Sequence, residues 1–154
     1  MLLDLTLNER PVSVEAEPRE LLLDVLRDHF GLTGAKRSCD VQVCGACTVL
    51  VDGAPVSSCC TLAYEVRGRD VLTVEGFAEG DEFGRFEEAF VRRAALQCGF
   101  CTPGLLLTLK SLLDAGELGS EEAIVHALDG NICRCTGYRG ILEAARDLAG
   151  LEAT

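Results

Sequence analysis

The spacing of the cysteines restricts the fold of this chain more than any other sequence feature. They form two groups: Cys39, Cys44, Cys47, Cys59 and Cys60, followed by Cys98, Cys101, Cys133 and Cys135. Their number, nine, is odd, which does not suit a framework of paired disulfides of the kind found in oxidising compartments. We therefore expect most of these thiols to bind metal.

The types of residue near the cysteines narrow the choice of metal. The chain has two histidines, His29 and His126, and neither lies inside a cysteine group. Sites made only of thiolates favour zinc or iron-sulfur clusters. The spacing C-x4-C-x2-C with a distant fourth cysteine is typical of a plant-type 2Fe-2S centre, whereas zinc sites commonly pair two C-x2-C knuckles. The first group therefore predicts a 2Fe-2S cluster, with structural zinc as the alternative.

The fourth ligand of this first cluster is left open by the spacing. Cys59 and Cys60 are adjacent, and neighbouring residues on an extended strand point to opposite faces. We therefore expect only one of the two thiols to reach the iron. The other is expected to be a small buried apolar residue, which is a common fate of an unligated cysteine.

The second group combines a C-x2-C pair with a C-x-C pair. Two residues turn a helix by about 200°, so Cys133 and Cys135 cannot share a helical face, and we predict a loop there. Cys98 and Cys101 precede "TPG" and are expected at a helix N-terminus, where partly positive N–H groups favour thiolates. Alone, this pattern fits zinc as well as iron-sulfur. A neighbouring redox cluster favours a second cluster, because two clusters can form an electron relay.

The hydrophobic periodicity changes along the chain. Alternating or β-branched runs predict strands at 2–7, 11–15, 48–51, 55–58 and 70–74, and a helix between Pro18 and Gly31. The first two strands, joined through "NER", and the next two, joined through "DGA", are predicted to form hairpins. After a linker around 75–84 the apolar period becomes about 3.6. It predicts helices from Phe83, from Thr102 as N-cap, from Ser120, and around Ile141. The fold class is therefore expected to be α+β.

Composition and charge exclude several functional classes. The apolar content of 48% is that of a globular protein with a core. A net charge of −11, with scattered lysines and arginines, does not suit a nucleic-acid partner. Residues 1–16 lack a basic segment followed by an apolar one, and no run of about 18 apolar residues occurs. We expect a cytoplasmic protein without a membrane span.

Several motifs together resemble those of a known family. They are "CDVQVCGAC" at 39–47, "SC" at 58–59, "QCGFCTPG" at 97–104 and "NICRCTGY" at 131–138. In this order and separation they are similar to the small iron-sulfur subunit of the molybdenum hydroxylases, the xanthine oxidase and aerobic carbon monoxide dehydrogenase type. The resemblance covers nearly the whole chain. It implies a β-grasp ferredoxin-like domain over residues 1–76 and a four-helix 2Fe-2S domain over residues 77–154.

The same resemblance implies specific cofactors, ligands and partners. It assigns one 2Fe-2S cluster to Cys39, Cys44, Cys47 and Cys59, and the other to Cys98, Cys101, Cys133 and Cys135. It also assigns contact with a molybdopterin cofactor to Gln97 and the Cys135 segment, and no catalytic residue to this chain. The implied partners are a large molybdopterin subunit and a medium FAD subunit, in a heterotrimer or a dimer of heterotrimers. The implied function is relay of single electrons from molybdenum to a flavin or another acceptor.

Two departures and two alternatives accompany this interpretation. Ser38 and Gln42 stand where family members often have glycine, and Cys60 is an additional thiol. A free-standing ferredoxin would explain the first cysteine group but not the second. A zinc-stabilised interaction module would explain the thiols without redox chemistry.

Overall fold

The computed structural model describes residues 1–151 of the chain. Within them a mixed sheet of five strands, in the order β2-β1-β5-β3-β4, precedes a helical region. The strands are β1 (Leu2–Leu7), β2 (Arg10–Glu15), β3 (Thr48–Val51), β4 (Ala54–Ser57) and β5 (Asp70–Leu72). The helices are α1 (Leu22–Asp24), α2 (Val74–Ala78), α3 (Phe83–Arg92), α4 (Thr102–Asp114), α5 (Glu121–Leu128) and α6 (Arg139–Ala149). The predicted α+β class is confirmed.

Two hairpins form as the sequence predicts. β1 pairs antiparallel with β2 and β3 with β4, and β5 joins them by running parallel to β1 and antiparallel to β3. The first turn has φ values of 50° at Asn8 and 65° at Glu9, and the second has 49° at Asp52 and 81° at Gly53. Two successive positive φ values match the twist of the flanking strands, so these short turns fix the strand register.

The first helix begins later than predicted. Leu21 is extended, with φ −81° and ψ 147°, and pairs across the fold with Leu62 in an isolated bridge. The helix therefore starts at Leu22 rather than near Pro18, and it continues as a π-helical turn over Val25–His29. Gly31 follows with φ 69°, in agreement with its predicted role at the end of this helix.

The predicted linker around 75–84 is partly helical. α2 occupies Val74–Ala78, and its Phe77 is 3% exposed. The Phe77 ring packs edge-to-face on Phe83 and Phe86, at centroid distances of 5.4 and 5.0 Å. These aromatic contacts stabilise a helical turn that apolar periodicity over so few residues does not reveal.

Two hydrophobic cores lie side by side and are not cleanly separated in sequence. One joins the sheet to α1, and the other is built by α2 to α6. Leu50 on β3 belongs to the second core, so α4 packs directly on the sheet. A domain boundary between residues 76 and 77 stays a prediction. Over residues 1–151, none of the helices is both long and apolar enough to cross a bilayer.

Candidate metal centres

The first cysteine group occupies a loop that leads into β3. The main-chain N–H groups of Val43 and Cys44 both donate to the Cys39 sulfur, at 3.4 Å. Hydrogen bonds from the amides of Val41, Val43 and Cys44 lower the pKa of the Cys39 thiol to about 6. Amide protons aimed at a sulfur stabilise its negative charge, so the loop is built around a thiolate.

The backbone of this loop wraps tightly. φ is 53° at Asp40, 58° at Gln42 and 67° at Gly45. Gln42 thus adopts a left-handed conformation that glycine enters more readily. Gly34, just before the loop, is required for its small size. A Cβ at Gly34 would lie 2.3 Å from the Val74 side chain.

Cys59 and Cys60 differ from the sequence expectation. They lie in a 3₁₀ turn, Ser58–Cys60, rather than on an extended strand, and their sulfurs are 3.6 Å apart. The assumption that they point to opposite faces is therefore wrong. The two still differ in burial, since Cys59 is 3% exposed and Cys60 is exposed. The resemblance implies that Cys59 is the ligand, and on that assignment the unligated Cys60 is exposed rather than buried.

Within this group the thiols also lie in pairs. Cys59 contacts the thiol of Cys47, and Cys44 contacts that of Cys39. Burial raises the pKa of the Cys47 thiol to about 12. The less buried Cys39 thiol therefore ionises more readily than the buried Cys47 thiol, and metal binding favours the ionised form of both.

The second group converges from two loops, as predicted. Cys101 is the N-cap of α4, and Cys133 and Cys135 lie in the non-helical segment before α6. The sulfurs of Cys135 and Cys98 are 3.5 Å apart, and Cys101 contacts Cys133. Burial raises the pKa of Cys101 to about 12. Burial also disfavours ionisation of Cys133. The hydrogen bonds to its sulfur, chiefly the one from the Thr136 side chain, outweigh burial and lower the pKa of this thiol.

Both groups fit a two-iron cluster. Two sulfurs at about 2.3 Å from one tetrahedral metal lie roughly 3.8 Å apart, close to the Cys98–Cys135 separation. Paired thiols are what a cluster with two cysteines on each iron needs.

A buried threonine hydroxyl beside the second cysteine group also supports binding of a cluster there. Thr102, predicted as the N-cap of α4, lies one residue inside the helix. Its Oγ1 is buried and has no hydrogen-bond partner among the described residues. Buried hydroxyls normally have a partner, so this one, next to Cys101, is consistent with a polar group bound at the site.

The two cysteine loops touch each other directly. The Ile132 N–H donates to the Cys44 carbonyl at 2.9 Å, and the Asn131 side-chain amide donates to the Gly45 carbonyl at 3.2 Å. Asn131 is 3% exposed, so this contact is shielded from water. A Cβ on Gly104 of α4 would lie 2.1 Å from the same Gly45 oxygen. The loops that carry the two groups therefore pack as one unit.

The structure also brings together the two residues expected to contact a pterin. The Gln97 side-chain amide donates to the Cys135 carbonyl at 3.1 Å, and both residues are exposed. Sequence reasoning missed Asn131 and Tyr138 as structural members of the site. Both lie inside the "NICRCTGY" motif, but only their contacts reveal their roles.

Comparisons with known proteins agree with this geometry. A family model described as "2Fe-2S iron-sulfur cluster binding domain" matches residues 5–73, and one described as "[2Fe-2S] binding domain" matches residues 73–146. The chain is 47% identical over 148 residues to the nicotine 6-hydroxylase small subunit of Paenarthrobacter nicotinovorans, covering 96% of this chain and 89% of that one.

Two further relatives also align with this chain over nearly the whole length of both chains. The nicotinate dehydrogenase small FeS subunit of Eubacterium barkeri is 44% identical over 144 residues, covering 94% of this chain and 92% of that one. A chain in the crystal structure of quinoline 2-oxidoreductase from Pseudomonas putida 86 superposes with a TM-score of 0.90 at 44% identity, over 97% of this chain and 92% of that one. The similarity thus includes both cysteine groups.

Proposed function

Because this chain belongs to the small 2Fe-2S subunits of the molybdenum hydroxylase family, we propose that it relays single electrons from a molybdenum-containing catalytic subunit to a flavin or another acceptor. The observation that carries the proposal is the packing of the two cysteine loops through the Ile132–Cys44 hydrogen bond. It keeps two redox sites adjacent inside one chain. The match of both halves to 2Fe-2S families favours this over a free-standing ferredoxin or a zinc module.

The proposed ligands follow from the two groups of thiols. Cys39, Cys44, Cys47 and Cys59 would hold one cluster, and Cys98, Cys101, Cys133 and Cys135 the other. Bound 2Fe-2S clusters accept and release electrons one at a time, at a potential set by hydrogen bonds and solvent exposure. The protein supplies the thiolates and the amide donors at Cys39. It also buries two thiols of each site, Cys47 and Cys59 in the first and Cys101 and Cys133 in the second. The substrate reaction belongs to the partner subunit, so no catalytic residue is assigned here.

The order of the relay is proposed from exposure. Cys98, Cys135 and Gln97 are all exposed, so a molybdopterin cofactor on a partner can approach the helical-domain site directly. Cys47 and Cys59 are buried, whereas the neighbouring loop exposes Val41 and Val43 by 65% and 55%. Two exposed valines beside the first site suit contact with a second partner. Electrons would then enter at the helical domain and leave from the β domain.

The proposed assembly contains a large molybdopterin subunit and a medium FAD subunit, as a heterotrimer or a dimer of heterotrimers. The names of the relatives, as small subunits, support assembly with larger ones. Eight cysteines kept as thiolate ligands suit a reducing compartment, so we propose a cytoplasmic location.

A substrate class is also proposed for the complex. The relatives are named for nicotine, nicotinate and quinoline, all nitrogen heteroaromatic compounds. We infer that the catalytic partner oxidises a ring of this kind. The purified complex can be mixed with quinoline, nicotinate, xanthine and benzaldehyde in turn while the visible absorption of the clusters is followed. Bleaching by benzaldehyde alone would contradict the inference.

The function itself is tested by EPR on the dithionite-reduced protein with its copurifying chains, together with iron, molybdenum and zinc analysis. Two distinguishable 2Fe-2S signals, with molybdenum in the copurifying chain, are expected. A single signal, or zinc in place of iron at the second site, would refute the two-cluster relay.

A further inference from the structure

A threonine hydroxyl lies against one proposed ligand of the helical-domain cluster. The Thr136 Oγ1 is 3.2 Å from the Cys133 sulfur, and it accepts the main-chain N–H of Tyr138, also at 3.2 Å. A hydroxyl carries a single proton, and here the oxygen already receives one from the amide. The geometry therefore directs the Thr136 proton at the Cys133 sulfur.

A second hydroxyl fixes the main chain at Cys133. The Tyr138 hydroxyl accepts the Cys133 N–H at 2.8 Å and donates to the Asn131 carbonyl at 3.0 Å. The Cys133 amide is thus occupied and cannot turn toward its own sulfur. The main-chain N–H groups of Cys135 and Thr136 also donate to the Cys133 sulfur, so the Thr136 hydroxyl adds a side-chain donor to two main-chain ones. Cys133 is buried and Thr136 half-buried, so water competes little for this bond.

We propose that Thr136 raises the reduction potential of the helical-domain cluster through its hydrogen bond to Cys133, with Tyr138 holding the hydroxyl in place. The inference rests on the proposed assignment of Cys133 as a ligand. An added electron increases the negative charge on the thiolate sulfurs, so a donated hydrogen bond is stronger in the reduced state. Thr136 therefore makes this cluster a better electron acceptor.

The first site provides an internal reference for the effect. There the donors to Cys39 are the main-chain N–H groups of Val43 and Cys44, at 3.4 Å. A substitution of the Thr136 side chain does not remove these main-chain donors. The change in potential should therefore be confined to one of the two clusters in the same sample.

The test is a dithionite titration of the purified complex, followed by EPR, for wild type, Thr136→Val and Thr136→Ser. Each cluster takes up one electron from dithionite, and no bond forms or breaks. Loss of a hydrogen bond to a charged group should weaken electron uptake by the helical-domain cluster roughly tenfold in Thr136→Val. At one electron this corresponds to a potential lower by about 59 mV. Thr136→Ser keeps the hydroxyl and should restore the wild-type potential.

The possible failures are distinguishable. Equal potentials in wild type and Thr136→Val, with both EPR signals intact, would overturn the role of Thr136 but leave the relay standing. A wild-type protein that lacks the second signal would refute the proposed function itself. If Thr136→Val fails to assemble the cluster, Thr136→Ala is tested instead, because it removes the hydroxyl without adding a second methyl group. Loss of the cluster in both variants would mark a purely structural role and also overturn the inference.

Discussion

The Gln97 side-chain amide donates a hydrogen bond to the main-chain carbonyl of Cys135, across 3.1 Å. This contact joins the segment before α4 to the segment before α6, which carry the two halves of the second cysteine group. One N–H of the amide is used in this bond. The second N–H and the amide oxygen stay available at an exposed position, where a partner's pterin edge could use both.

The substitution Gln97→Glu is expected to slow electron entry and leave both clusters in place. The carboxylate that it introduces would match the size of the amide but could not donate to the Cys135 carbonyl. Loss of one hydrogen bond of this kind predicts a roughly five- to tenfold slower reduction of the helical-domain cluster. Stopped-flow absorption of the substrate-reduced complex measures this rate. Gln42→Glu is the matched control, since it makes the same change at an exposed residue of the other loop. Equal rates in the two variants would contradict the role given to Gln97.

The neighbouring thiols of the first site should respond differently to substitution. Cys59 is buried against Cys47, whereas Cys60 is exposed. We expect Cys59→Ser to lose the EPR signal of the β-domain cluster and about half of the iron. Cys60→Ser should keep both signals and the full iron content. Because the two sulfurs are 3.6 Å apart, retention of the signal in Cys59→Ser would identify Cys60 as the ligand instead.

The parts of the fold that depend on short-range patterns were predictable. The hairpins at Asn8 and Gly53 follow from strand periodicity and turn residues, and both are present. The capping of α5 by Ser120 is confirmed by its 3.2 Å bond from the Ala123 N–H. The non-helical C-x-C segment followed from helix geometry alone.

Features that depend on contacts distant in sequence were not predictable. The bridge between Leu21 and Leu62 delays the first helix, and no local pattern near Pro18 encodes it. The amide of Asn131 reaches Gly45, 86 positions away, so its role is visible only after folding. The 3₁₀ turn at Cys59 likewise arises after β4 ends at Ser57, where strand periodicity no longer applies.

Gly104 is expected to be essential for the packing of α4 against the first loop. An alanine Cβ there would lie 2.1 Å from the Gly45 carbonyl oxygen, which is main chain and cannot rotate away. Overpacking of this kind predicts a loss of about 1–3 kcal/mol in the free energy of unfolding for Gly104→Ala. Because Gly45 lies between Cys44 and Cys47, the EPR line shape of the β-domain cluster should change as well.

A second helical glycine supplies the control for that measurement. A Cβ at Gly84 in α3 would have nothing within 4 Å. Gly84→Ala is expected to leave both EPR signals unchanged and to stabilise the fold by up to about 1 kcal/mol, because alanine loses less entropy in a helix. Chemical denaturation followed by circular dichroism compares the two variants. A Gly104→Ala protein as stable as Gly84→Ala would show that α4 does not press on the loop.

An ion-pair network between α3 and α6 should stabilise the helical domain independently of pH over the neutral range. Arg93 donates two hydrogen bonds to Asp147, at 2.7 and 2.8 Å, and Arg92 adds another at 2.9 Å. The pKa of Asp147 is lowered to about 2, and the hydrogen bond from Arg93 is the largest cause. An unfolded chain has this carboxyl near pKa 3.9, so the stabilisation is complete above that value and is lost as the pH falls through about 2.

Asp147→Asn is therefore expected to reduce the free energy of unfolding by about 1 kcal/mol, discounted for the partial exposure of both arginines. The deficit should be the same at pH 8, 6.5 and 5, since Asp147 stays ionised throughout in both folded and unfolded chains. Urea unfolding of the cluster-loaded protein at these three pH values measures it. Asp129→Asn is the control, because Asp129 and its neighbour His126 are 72% and 91% exposed and should contribute almost nothing. A deficit that shrinks between pH 8 and 5 would mean that a group other than Asp147 controls the contact between α3 and α6.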